Sequence, residues 1–149
     1  MTCPFIVVIP MVPARELSPN RRAHWAVRNE AAQALRMAAK AATVIALDGA
    51  PVWSGIYGDA FDLDMQVFWP KGRKRMDVDN AVASCKAAID GIADALGIDD
   101  RHLGELRIRQ GRDPAGDGWI AATVTVRATN AQPSDDKPPT VAPRSRKKA

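Results

Sequence analysis

The sequence predicts an α+β fold: a small mixed or antiparallel sheet of about four strands packed with two main helices, in the order strand-helix-strand-helix-strand-strand. Three observations carry this expectation. In FDLDMQVFWP, residues 61–70, Leu63, Met65, Val67 and Trp69 alternate with Asp62, Asp64 and Gln66, the period of a half-buried strand, which Pro70 ends. From about Asn80 to Leu96, the residues Val82, Cys85, Ile89, Ile92 and Leu96 recur at steps of three and four, the stripe of an amphipathic helix. The chain also opens with the β-branched run PFIVVIPMVP and closes with ELRIRQ and WIAATVTVR, which read as strands.

Taken in order, the first strand is closed by Pro10 and Pro13, and the loop LSPN follows. An alanine-rich stretch from about Arg22 to Ala46 is helix-prone, with Leu35 and its neighbours on the apolar side. Asn29, Arg36 and Lys40 lie 7, 14 and 18 residues beyond Arg22. At 100° per residue the four fall within roughly 40° of one another. They make one basic polar stripe, either a solvated face or a nucleic-acid contact. The Gly- and Pro-containing segment DGAPVWSGIYGD is a loop before the alternating strand. At the end of the second helix, Gly97 suits a left-handed C-terminal cap, with Ile98 as its apolar partner. The loop GRDPAGDG predicts that the last two strands form an antiparallel hairpin. The tail from Ala128, rich in Pro and charge and poor in large apolar residues, is expected to be disordered, leaving 1–127 as the domain and 128–149 as a basic tail.

Composition narrows the class. At 149 residues, 46% hydrophobic and 26% charged, the chain has the makeup of an ordinary globular domain with its own core. The apolar run FIVVIPMV is too short for a membrane span and lacks the basic leader of a signal peptide. Cys3 and Cys85 are too few for a disulfide framework and lack metal-ligand spacing, so a reducing cytoplasm is expected, with Cys85 a buried inert thiol. The net charge of +4 suggests an anionic partner. The last 22 residues hold five cations against two aspartates, which leaves 16 cations and 15 anions for the first 127. A uniformly basic coat is thereby excluded, and nucleic-acid binding would require local segregation of charge.

The chemistry concentrates in residues 71–100. Lys71, Arg73, Lys74 and Arg75 precede Asp77, Asp79, Asp90, Asp94, Asp99 and Asp100. In an extended segment Asp77 and Asp79 would point to the same side, and Asp79 stands at the expected helix start, where Asp is a favoured N-cap. On the helical wheel Lys86 and Asp90 share its stripe, rotated away from the apolar one. Each acid has a plain reading as a cap, a turn residue or an i,i+4 partner of Lys86. Together, crowded carboxylates repel unless a cation neutralises them, and hard oxygen ligands suit Mg²⁺ or Mn²⁺. A basic run beside an acidic cup is what an enzyme acting on phosphodiesters needs. His24 and His102 have no evident catalytic partner. Trp25, beside Arg21, Arg22 and Arg28, is read as core before it is read as a base-stacking platform. Trp53 and Trp69, with the apolar first strand, are candidate interface material.

Asp77-Val-Asp79-Asn80, Lys86, Asp90-Gly91 and Gly97-Ile-Asp99-Asp100 resemble the core signature of the RusA-type Holliday junction resolvases, and Leu17–Arg36 is similar to the opening of phage-borne members. The resemblance covers about residues 4–127. It implies that Asp77, Asp79 and Asp100 are the metal-binding carboxylates, with Asp90 and Asp99 further acids of the pocket. It also implies that Lys86 is the family lysine, at the scissile phosphate or the attacking water. Asn80 and Lys86 are six apart where the founding bacterial type has three, a rotation of roughly 300°, close to one turn. The activity implied is a Mg²⁺-dependent endodeoxyribonuclease, with Mn²⁺ as a substitute. It would resolve four-way junctions and other branched DNA by paired symmetric nicks that leave 5′-phosphate and 3′-hydroxyl ends, acting as a homodimer in recombination and repair. Arg73, Lys74, Arg75 and Lys71, then Arg22, Arg36 and Lys40, would contact DNA. The alternative is a non-catalytic DNA-binding accessory protein of phage recombination or replication, whose acids only cap and solvate. A small-molecule phosphotransferase ranks last, because no Gly-rich phosphate loop is present.

Overall fold

A computed structural model describes residues 3–47 and 60–127. The predicted loop at 48–59 with Trp53, and the tail at 128–149, lie outside the described residues. The elements are β1 (Cys3–Ile9), α1 (Trp25–Leu47), β2 (Ala60–Pro70), α2 (Val78–Ser84), α3 (Lys86–Leu96), β3 (Leu103–Asp113) and β4 (Trp119–Arg127). The α+β class and the element order match the sequence reading.

The sheet order is β1-β4-β2-β3, with β4 antiparallel to both β1 and β2, and β2 parallel to β3. The expected β3–β4 hairpin does not form, because β2 lies between the two strands. A parallel pair needs a crossover, and the helical segment from Val78 to Leu96 provides it. β3 therefore takes one edge of β2, and β4 takes the other. The connection at residues 114–118 is long enough to pass one strand at ~4.8 Å spacing. It passes tightly: Gly118 has φ +88°, and a Cβ there would lie 2.8 Å from the Phe68 carbonyl oxygen, from Pro70 and from Val12. Only glycine fits both that conformation and that clearance.

Alternation in β2 is complete, with Phe61, Leu63, Met65, Val67 and Trp69 buried. They meet Val7 and Ile9 of β1, Ile120, Ala122, Val124 and Val126 of β4, and Leu35, Ala39, Ile89 and Ile92 of the helices. Of two tryptophans, one follows the β2 alternation and one departs from its expected core place. Trp69 is fully buried rather than at an interface, its indole N–H donating to Gln110 Oε1 at 2.9 Å. Trp25 is 74% exposed at the first position of α1, where the helix has not yet reached the core.

The second predicted helix begins at Val78 and is interrupted at Cys85, whose N–H is shared between the carbonyls of Ala81 (3.0 Å) and Val82 (3.2 Å). Burial pushes the Cys85 thiol pKa up to about 12, the inert thiol expected. α3 ends as predicted. Gly97 is left-handed, its N–H bonds to Asp94 O, and the Ile98 N–H bonds to Ala93 O, closing a Schellman cap. Against α1, α3 presents Gly91, where a Cβ would meet the Arg36 carbonyl oxygen at 2.2 Å and the Ala39 Cβ at 2.9 Å.

Gly91→Ala is therefore expected to force the helices apart and cost about 1–3 kcal/mol, the usual range for overpacking. Urea denaturation checks this, and an unchanged midpoint would refute the close approach.

Candidate active site

The loop after β2 is held by one amide. Gln110 of β3 accepts from the Met76 N–H through Oε1 (2.9 Å) and donates from Nε2 to the Met76 carbonyl (2.8 Å). The same Oε1 takes the Trp69 indole N–H, so the end of β2 and the start of α2 share one anchor. The Ser84 hydroxyl reaches Met76 Sδ at 3.7 Å. Asp77 follows directly on this fixed residue.

Asp77, not Asp79, occupies the N-cap position of α2, with extended φ −61° and ψ 151°. Its side chain makes no cap hydrogen bond. Asp79 is in the first turn, so the two carboxylates are not on one extended strand as the spacing suggested. Both are exposed, and among the described residues neither has a hydrogen bond or ion pair through its carboxylate. The capping role expected for this position is not used.

Lys86 opens α3 and donates to Asp90 Oδ1 and Asp100 Oδ2, each at 2.5 Å. The Gly97 cap turns the chain back along the helix, which brings Asp100 to a lysine 14 residues earlier. Asp99 caps the short 3₁₀ turn Asp100–His102, accepting the Arg101 N–H at 3.0 Å, and pairs with Arg101 Nε at 3.2 Å. The hydrogen bond and charge of Lys86 hold the Asp100 carboxyl below the usual carboxylate range. For Lys86, partial burial is the largest single influence and lowers the pKa. The hydrogen bonds to Asp100 and Asp90 together outweigh it and leave the ammonium above the ordinary lysine value. The interruption at Cys85 leaves Asp79 on the other helical segment, so of the predicted Asp79–Lys86–Asp90 stripe only the Lys86–Asp90 pair is made.

Arg36 is placed differently from the expected basic stripe. From α1 it forms a bidentate pair with Asp94 of α3, Nε–Oδ2 2.6 Å and Nη2–Oδ1 2.9 Å. Its pKa is raised first by that hydrogen bond, with smaller contributions from Asp90 and Asp100. Arg36, Asp90, Asp94, Asp99 and Asp100 line a cavity of about 330 Å³ with Ala93 and Ile98. Arg36 is thus a counter-ion of the acidic pocket, and Gly91 lets α1 come close enough to deliver it. Arg22 precedes α1, so the helical wheel does not govern it; it is exposed, as is Lys40. Asp94 was missed as a pocket residue, although its i,i+4 spacing from Asp90 marked the shared face.

In the basic run, Lys71, Lys74 and Arg75 are exposed. Arg73 is half-buried and structural: both terminal nitrogens donate to the Pro13 carbonyl at 3.2 and 3.1 Å, and its guanidinium lies 4.8 Å from the Trp69 ring centroid. Arg112 donates to the Arg73 carbonyl. The histidines are also ordinary. His24 Nδ1 accepts the Ala26 N–H at 3.2 Å beside the start of α1, and His102 is exposed.

Among the described residues, no three His, Cys, Asp or Glu side chains gather into a ready metal-holding group. Asp77 and Asp79 stand free, while Asp90, Asp99 and Asp100 are engaged by Lys86 and Arg101.

The ion pair has a pH signature. Asp100 is depressed, so its contribution to stability is present above the unfolded carboxyl value of 3.8 and is lost as pH falls through the lower folded value. Lys86 is raised, so its contribution is present below 10.5 and is lost as pH rises through the higher folded value. Lys86→Met is expected to move the Asp100 titration upward toward 3.8, read by carboxyl ¹³C NMR; an unmoved midpoint would show that the pair does not form.

No family model matches the chain. It is 39% identical over 129 residues to an uncharacterized protein of Xylella fastidiosa (strain Temecula1 / ATCC 700964), an alignment covering 81% of this chain and 78% of that one. No helix among the described residues is long and apolar enough to cross a membrane. At that identity and coverage, the chain belongs to one protein family with this Xylella protein.

Proposed function

We propose that the protein is a Mg²⁺-dependent, structure-specific endodeoxyribonuclease of the RusA type that nicks four-way junctions and related branched DNA in the cytoplasm. The observation that carries this reading is the pair of exposed carboxylates, Asp77 and Asp79, which have no cation partner or cap bond among the described residues and stand at the end of a basic turn. Mg²⁺ keeps several waters and is commonly bound by one or two carboxylates plus substrate phosphates, so a closed protein cage is not required. Asp77 and Asp79 supply hard oxygen ligands of that kind, and Asp100 would join them on release from Lys86. When bound, such an ion supplies Lewis-acid stabilisation of the phosphodiester and an activated water.

The remaining work falls to the chain's own groups. Lys86 is poised between two acids, and a phosphate oxygen arriving at the pocket would compete with Asp100 for its ammonium. Arg36 offsets the repulsion among Asp90, Asp94 and Asp100, so that the acids tolerate one another before substrate binds. Lys71, Lys74 and Arg75 provide exposed positive charge next to Asp77 for backbone phosphates. Two symmetric nicks call for two equivalent sites, and a C2 dimer provides them. Support for a dimer comes from an apolar groove of about 420 Å³, where Ile6 and Val8 of β1 face Ala41 and Ile45 of α1.

A second reading, a DNA-binding accessory protein without catalysis, draws on the Lys86 pair, in which Asp90 and Asp100 serve only to neutralise a lysine. A synthetic four-way junction incubated with and without Mg²⁺ separates the two. Paired, metal-dependent nicks support the nuclease, and binding without nicks supports the accessory protein. On the nuclease reading, Asp77→Asn or Asp79→Asn lowers the nicking rate at least about a hundredfold, roughly 2.7 kcal/mol of barrier, while junction binding persists. Either variant nicking at wild-type rate would sink the assignment. Deleting residues 128–149 is expected to weaken binding at low salt and leave nicking intact at saturating DNA. Loss of nicking under those conditions would make the tail part of the catalytic unit.

A further inference from the structure

Residues 15–21 and 72–76, far apart in sequence, close on one cleft of about 530 Å³. Its polar lining is Arg15, Ser18, Asn20, Arg21, Arg73 and Lys74. Arg15 Nη2 reaches the Gly72 carbonyl at 3.5 Å, and Arg73 is tied to the Pro13 carbonyl from the other side. The two walls are therefore joined by contacts that use arginines as donors and leave their charge uncompensated. Among the described residues, no carboxylate forms an ion pair with any of these four cations.

The crowding is visible on Arg73, whose pKa is lowered by burial first, then by Arg15, with Arg21 adding to the effect and Glu16 opposing it. Four cations held together without an ion-paired anion among the described residues, with Glu16 offsetting them only in part, repel one another, and an anion entering the cleft relieves that cost. This contrasts with the acidic pocket, where Lys86 and Arg36 are already neutralised by aspartates. The cleft is not a nucleotide cradle, because its donors are long side chains spread along a groove rather than successive backbone N–H groups.

We propose that this cleft binds the backbone phosphates of a nucleic-acid strand, with Arg15, Arg21 and Lys74 as the contacts and Arg73 as the fixed floor. Met76 also lines the cleft, and Asp77 is the next residue in the chain, so a strand lying in the cleft would pass close to the carboxylates that open α2. Ser18 and Asn20 add neutral hydrogen-bonding groups that suit phosphate oxygens. The cleft deepens the nuclease reading by naming where the substrate strand lies, and it holds equally for a protein that binds DNA without cutting it.

The test uses the full chain and a fluorescein-labelled four-way junction in EDTA, with affinity read by anisotropy across a salt series. Arg15→Ala/Arg21→Ala is expected to bind at least about tenfold more weakly at 100 mM salt, with the slope of log affinity against log salt reduced by about 2. Arg21→Glu/Lys74→Glu, at two exposed positions, is expected to lose more. Arg107→Ala/Arg109→Ala, which removes the same charge from β3, is expected to stay within about twofold of wild type. Equal losses in this last variant, or unchanged affinity and slope in both cleft variants, would overturn the proposal. So would inorganic phosphate binding that the cleft variants abolish while their junction affinity stays at wild type. Wild-type nicking with unaffected binding in the cleft variants would sink the cleft and leave the nuclease. Lost binding in those variants, with no nicking by the wild type in any divalent cation, would do the reverse.

Discussion

The parallel pairing of β2 with β3 is the constraint on which the rest depends. Parallel neighbours cannot be joined by a tight turn, so the chain must leave the end of β2 and return to the start of β3 through a long crossover. The basic turn, the free carboxylates of α2, Lys86, the acids of α3 and the Asp99-Asp100 turn all lie on that return path. The crossover is fixed at three places. Gln110 grips Met76 at its start, Gly91 lays its middle against α1, and the Gly97 cap turns its end back toward Lys86. A rigid sheet thus positions a chemically dense segment in which the carboxylates of Asp77 and Asp79, among the described residues, take no part in the scaffold, while Arg73, Asp94 and Asp99 do.

Charge is sorted by partnership more than by sign. In the acidic pocket each engaged aspartate has a nearby cation: Asp94 with Arg36, Asp90 and Asp100 with Lys86, Asp99 with Arg101. On the polar side of the sheet, Asp62 takes Arg127 and Asp64 takes Arg109. Among the described residues, the cations of residues 15–21 and 71–75 and the carboxylates of Asp77 and Asp79 form no ion pair, and Arg15, Arg21, Arg73 and Lys74 share one cleft. The near-neutral total of the first 127 residues therefore combines ion-paired charge with unpaired charge, some of it gathered at that cleft.

Several elements were legible from local chemistry. The β2 alternation placed Leu63, Met65, Val67 and Trp69 on the core face because a strand's side-chain period is fixed at two. Gly97 and Ile98 announced their cap because few residues tolerate a positive φ. Misreadings arose where a residue's role depends on a distant partner. Arg36 sat correctly on a helix but faces Asp94, 58 residues away. Arg73 belonged to a basic run but is held by Pro13 and Trp69. Trp25 is exposed where core was expected, since helix phase at a terminus is poorly fixed by pattern alone. The hairpin failed because loop composition reports a turn and does not report which strand the chain meets after it.

By itself the sequence determined the α+β class, the element order, the core face of β2 and the concentration of charge in residues 71–100. These follow from periodicity, propensity and the local clustering of charge, all of which act over a few residues. Only the tertiary structure decided that β2 separates β3 from β4, that Arg36 neutralises the acidic pocket and that Lys86 holds Asp100. It alone left Asp77 and Asp79 free and joined Arg15 and Arg21 to the basic turn. Those are matters of which distant groups meet, and that is set by the packing of α1 on α3 and of β3 on β2, which no local pattern encodes.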